Sequence, residues 1–96
     1  MRREEIIQTL RRYRELKGDK YNIVRIGLFG SAARDTSNEK SDIDVVVILR
    51  RPDMFSLVGI KQDLDEIFQK SVDLVRYREK MNPFLKRRIE KEAIYV

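Results

Sequence analysis

Residues 43–49, Ile-Asp-Val-Val-Val-Ile-Leu, constrain this chain more than any other stretch. An apolar run that continues unbroken after Asp44 describes a strand covered on both faces, the pattern of a central strand rather than a half-exposed one. The mouth of that strand carries two acids, Asp42 and Asp44. Successive strand side chains point to opposite faces, so these two share a face, with Cα atoms roughly 6 to 7 Å apart. Like charges at that separation repel, and folding has no use for them. A divalent cation accounts for them.

Upstream, a strand over Ile23–Phe29 runs into small residues at Gly30-Ser31-Ala32-Ala33, which open a short helix. Unpaired N–H groups at a helix start suit a phosphate. Gly30 lets the backbone turn without a Cβ clash, and Ser31 caps the helix or donates to an oxygen. A phosphate cradle and an acid pair in one stretch read as chemistry on a nucleoside triphosphate.

Gly30-Ser31, Arg34 and Ser41-Asp42-Ile43-Asp44 resemble the signature of the DNA polymerase β-type nucleotidyltransferase superfamily, a Gly-Ser followed by Asp-x-Asp. The resemblance runs from Ile23 to about Leu85. A short chain with little beyond the catalytic core is similar to the minimal nucleotidyltransferases, the antitoxin partners of HEPN-domain toxins. The resemblance implies an α/β (α+β) nucleotidyltransferase fold in the order α-β-α-β-α-β-α, a small mixed sheet of three to four strands with helices mainly on one face. It also implies that Asp42, Asp44 and Asp73 are the catalytic acids and hold Mg²⁺, two ions being expected, with ATP as substrate. Gly30, Ser31, Arg34 and Ser41 are the expected nucleotide- and phosphate-binding positions. Asp35 departs from the pattern, since many relatives carry glycine after the arginine; an added carboxylate there works against nucleotide binding.

The chain's 96 residues make one expected domain, 1–96. It has no cysteine and no histidine, which removes disulfides, imidazole acid–base catalysis and any Cys/His zinc site; a metal must be held by oxygens. No apolar run approaches the roughly 20 residues that cross a bilayer, and residues 1–5 lack a signal peptide's apolar stretch. The expected location is cytoplasmic, away from membranes. The net charge of +5 invites a nucleic-acid reading, but the Arg-Arg pairs are scattered and have no interleaved aromatics for base stacking. Nucleic acid is therefore not expected as a direct ligand; an acidic protein or a triphosphate would use the same positive field.

The spacing of Ile6, Leu10 and Tyr13 predicts an amphipathic helix over residues 2–17, with Gly18 as its stop. A second long helix is expected from Met54 or Phe55 to Lys70, a third strand over 71–75, and a last helix starting at Asn82-Pro83 and ending near Glu92. Residues 93–96 form a short strand or fray, and Tyr95 packs on the sheet edge or meets a partner. A short link makes the first two strands antiparallel neighbours, and the long helix carries strand two to strand three as a parallel crossover. That register brings Asp73 beside Asp42 and Asp44. Arg76, Tyr77 and Arg78 border the pocket or simply form a polar strand exit, the second being the simpler reading.

The expected function is transfer of a nucleoside monophosphate, AMP from ATP, to a hydroxyl. With no space for an acceptor-binding domain, the acceptor expected is a protein; resemblance makes it the tyrosine of a cognate HEPN toxin. A non-catalytic antitoxin acting by docking, and transfer to RNA or a small molecule, are the alternatives.

Overall fold

The computed structural model describes residues 2–34 and 42–96; Asp35 and Ser41 lie outside the described residues. The elements are α1 (Arg3–Tyr21), β1 (Ile23–Phe29), α2 (Gly30–Ala33), β2 (Ile43–Leu49), α3 (Met54–Phe68), β3 (Val72–Arg76), α4 (Pro83–Glu92) and β4 (Ile94–Tyr95). They build one mixed sheet in the order β3-β2-β1-β4. Strands β1 and β2 are antiparallel and β2 and β3 parallel, as the connection lengths require. The chain's end forms a fourth strand, β4, antiparallel to β1. Tyr95 is seated there, close enough to Gly27 that a Cβ on the glycine would come within 2.9 Å of its ring.

Helices α1 and α3 cover one face of the sheet. Ile6, Leu10 and Tyr13 meet Ile60, Leu64 and the apolar side chains of the central strands there. Leu10, Ile60, Leu64 and Val45 are wholly buried, and burying each large aliphatic side chain contributes roughly 1.5–3 kcal/mol. Helix α4 lies on the opposite face, where Ile89 closes over Phe29 and Val46. The second face is therefore partly covered as well.

Gly18 does not end the first helix. Helix α1 continues to Tyr21 and is stopped by Asn22, whose φ of 55° places it in the left-handed region. The extra turn has a tertiary cause: Tyr21 leans on Gly59 of α3, where a Cβ would come within 2.7 Å of the phenol oxygen. Asn22 tolerates the left-handed conformation better than most residues, so the stop moves to it. The other helix boundaries follow local chemistry. The Asp53 carboxylate accepts from the Phe55 N–H at 3.0 Å, and the Asn82 side chain from the Phe84 and Leu85 N–H groups at 2.9 and 3.1 Å.

Candidate active site

The register of the sheet makes the site. Phe29 of β1 pairs with Asp44 of β2, and Asp44 pairs with Asp73 of β3. Directly paired residues point to the same side, so these three side chains form one row across three strands, on the face that carries α4. Asp73 is held at its place in the row by a contact that sequence reading did not reveal. The Asp65 carboxylate accepts from the Val72 N–H at 2.7 Å, tying the last part of α3 to the first residue of β3, while Lys61 Nζ donates to Asp65 Oδ2 at 2.7 Å.

Asp44 is half-buried, whereas Asp42 and Asp73 are exposed. The Asp44 carboxyl is pushed up from its ordinary value to about 6. Burial is the main cause, followed by the charge of Asp73 and a hydrogen bond to it, with Asp42 adding a little and the Arg88 cation opposing. Two carboxyls that face one another in this way form a place where a cation is favoured over bare like charges.

Of the three predicted acids, the structure therefore brings Asp44 and Asp73 together and leaves Asp42 at the strand's mouth, felt through its charge. Among the described residues no three acids converge into a ready cage for a metal. The donor set nonetheless fits magnesium, which takes one or two carboxylates and completes its shell with water and substrate phosphate.

Beside this row the chain turns at Gly30, which has φ +75°. A side chain is excluded there twice over: L-residues rarely adopt that backbone, and a Cβ would run into the Asp44 carboxylate. Ser31 is half-exposed at the start of α2. The predicted phosphate turn and acid pair thus occupy adjoining positions. Arg34 does not face them as it stands. Its Nη1 donates to Glu92 Oε1 at 2.8 Å, linking the end of α2 to the last turn of α4. Tyr77 packs partly buried beneath α4, its N–H bonded to the Val47 carbonyl at 2.9 Å.

Phe29 and Arg88 belong to this neighbourhood without having been foreseen. Phe29 could be placed by its position directly before Gly30; nothing short of knowing where α4 crosses the sheet points to Arg88. Its guanidinium carbon stands 5.9 Å from the centre of the Phe29 ring.

A match to the nucleotidyltransferase domain extends over residues 6–96. The chain belongs to this family. As a nucleotidyltransferase it is 37% identical over 93 residues to a candidate protein adenylyltransferase of Methanocaldococcus jannaschii, covering 96% of this chain and 95% of the relative. A solved candidate minimal nucleotidyltransferase superposes with a TM-score of 0.72 at 29% identity, over 92% of this chain and 93% of that one. A chain from a crystal structure of a toxin–antitoxin pair with AMP-PNP is similar at a TM-score of 0.66 and 26% identity, over 84% of this chain and 70% of that one. The α+β fold expected from the motif is the fold of these relatives, and the chain is an enzyme of the nucleotidyl-transferring class. None of its helices, among the described residues, is long and apolar enough to cross a membrane.

Proposed function

We propose that this nucleotidyltransferase moves AMP from ATP to a hydroxyl of a partner protein, the tyrosine of a cognate HEPN-type toxin, and so acts as its antitoxin. The observation that carries the reading is the opposition of Asp44 and Asp73 beside the Gly30 turn. Similarity to a relative named for protein adenylylation, and to a toxin–antitoxin pair with an ATP analogue, supports the acceptor class.

In this mechanism Asp42 and Asp44 would hold the Mg²⁺ that accompanies the triphosphate, and Asp73 would complete a second position. Bound magnesium supplies charge neutralisation at the phosphates and lowers the cost of ionising the acceptor. Gly30 and Ser31 grip the non-transferred phosphates through backbone and hydroxyl. Arg34 joins them on leaving Glu92. Asp73 is exposed, as a group that meets an incoming acceptor must be. It takes the acceptor's proton; the acceptor oxygen bonds to the α-phosphorus, the bond from that phosphorus to the bridging oxygen breaks, and pyrophosphate leaves.

The test uses ATP labelled on the α-phosphate, Mg²⁺, the full chain and a cognate HEPN-type protein. Label on the toxin that disappears with Asp44→Asn and Asp73→Asn is the expected result. Full neutralisation of the toxin by those variants, without label, would mean that docking alone is the activity.

A further inference from the structure

We propose that Arg88 is the guanidinium that receives the pyrophosphate portion of the triphosphate, presented by α4 across the row formed by Phe29, Asp44 and Asp73. The inference rests on the nucleotidyl-transfer reading and adds to it a residue more than forty positions beyond the Asp-x-Asp motif.

Electrostatics creates the need. A triphosphate brings several negative charges to a row already holding acids, so a cation on the protein's side adds to the neutralisation that magnesium would supply. Arg34, which joins the phosphates only on leaving Glu92, starts in an ion pair, and Lys86 is paired with Glu79. Arg88 makes no ion pair among the described residues.

Its position is set by packing. Ile89, the next residue, is wholly buried against Phe29 and Val46, which fixes this turn of α4 over the sheet. Arg88 then lies over the Phe29 ring at 5.9 Å, within cation–π range. Phe29 is both the register partner of Asp44 and the residue before Gly30. One aromatic ring therefore places the guanidinium beside the acid pair and the phosphate turn together. An arginine suits the task because its planar fork presents several N–H donors to phosphate oxygens while its flat face stays on a ring. Arg87, one residue earlier and also exposed, makes no such contact and serves as the matched control.

The experiment measures AMP-PNP and AMP binding by calorimetry, in Mg²⁺, to the full chain and to three variants. Arg88→Ala is expected to weaken AMP-PNP roughly 10- to 100-fold, the size of one charge-assisted hydrogen bond, and to leave AMP little changed. Arg88→Lys gives an intermediate affinity, and Arg87→Ala, which removes the same charge, stays near the unaltered protein. Undiminished AMP-PNP affinity in Arg88→Ala overturns the assignment. So does a parallel loss of AMP, which marks a structural role, or an equal loss in Arg87→Ala, which marks a general field. Should Arg88→Ala fail to fold, full affinity in Arg88→Lys is the overturning result. Absence of AMP-PNP binding by the unaltered chain sinks the nucleotidyl-transfer reading itself, an outcome separate from these.

Discussion

Asp44 and Asp73 face each other across two parallel strands, in register and close enough for the protonated Asp44 to donate a hydrogen bond to its neighbour. Parallel pairing puts them there, because the crossover through α3 returns the chain to the same end of the sheet. Removing the proton acceptor proposed for the acceptor hydroxyl should therefore act on rate more than on nucleotide affinity. Asp73→Asn is expected to lower kcat roughly 10²- to 10⁴-fold, the usual share of a general base, with the KM for ATP changed far less. Steady-state release of pyrophosphate in the presence of acceptor measures both.

The same pair sets a pH dependence. Asp44 is pushed up to about 6 by burial, then by Asp73. A folded pKa above the unfolded value means that the protonated form favours the fold. The contribution is complete below the ordinary carboxylate range and is lost as pH rises through about 6. Without metal, Tm is expected to fall as pH is raised through that window, and Asp44→Asn should flatten the fall. Manganese binding should show the opposite trend, weakening as pH drops through the window, because the proton and the ion compete for one oxygen pair. Thermal scans and metal titrations at several pH values check the two halves.

Gly30→Ala tests the turn. The alanine would have to hold a left-handed backbone and push the Asp44 carboxylate aside. A loss of about 1–3 kcal/mol in urea unfolding is expected, together with loss of nucleotide binding. Stability lost with binding kept would separate the turn from the phosphate.

Asp65→Asn tests how the third acid is held. The variant weakens the ionic contact with Lys61 and the carboxylate bond to the Val72 N–H. Faster amide exchange at Val72 is the expected sign, with stability reduced by about 1 kcal/mol. Activity should fall through Asp73 misplacement, and excess metal should restore part of it.

The Arg34–Glu92 pair is half-exposed on the arginine side, and pairs of that kind contribute about 0–1 kcal/mol. Glu92→Gln should therefore leave Tm nearly unchanged. If Arg34 is held from the triphosphate by this contact, ATP affinity will rise in the variant.

What was legible in the sequence followed from local chemistry. The β2 run, the Asn82-Pro83 start and the Asp-x-Asp motif each carry their own signal, and connection lengths ordered the central strands. The end of α1 was misplaced because the glycine read as a stop is tolerated inside a helix, while the contact that extends it, Tyr21 on Gly59, spans the fold. The arginines went astray for a related reason. Arg34 lies in the motif yet meets Glu92, and Arg88 lies outside it yet reaches the Asp44 row. Both outcomes depend on α4 crossing the second face, which amphipathic spacing alone does not decide.

β3 is an edge strand of the sheet, so one of its long sides offers backbone groups with no strand neighbour among the described residues. Strands left open in this way invite the same strand of another copy, and a charge at the border discourages such stacking. Asp73 stands on that border. The acid proposed to take the acceptor's proton is thus also a charge on an edge strand, where its removal lowers a barrier to strand pairing between copies. Neutral replacements at this position should be inspected for clumping by light scattering before any slow turnover is ascribed to chemistry.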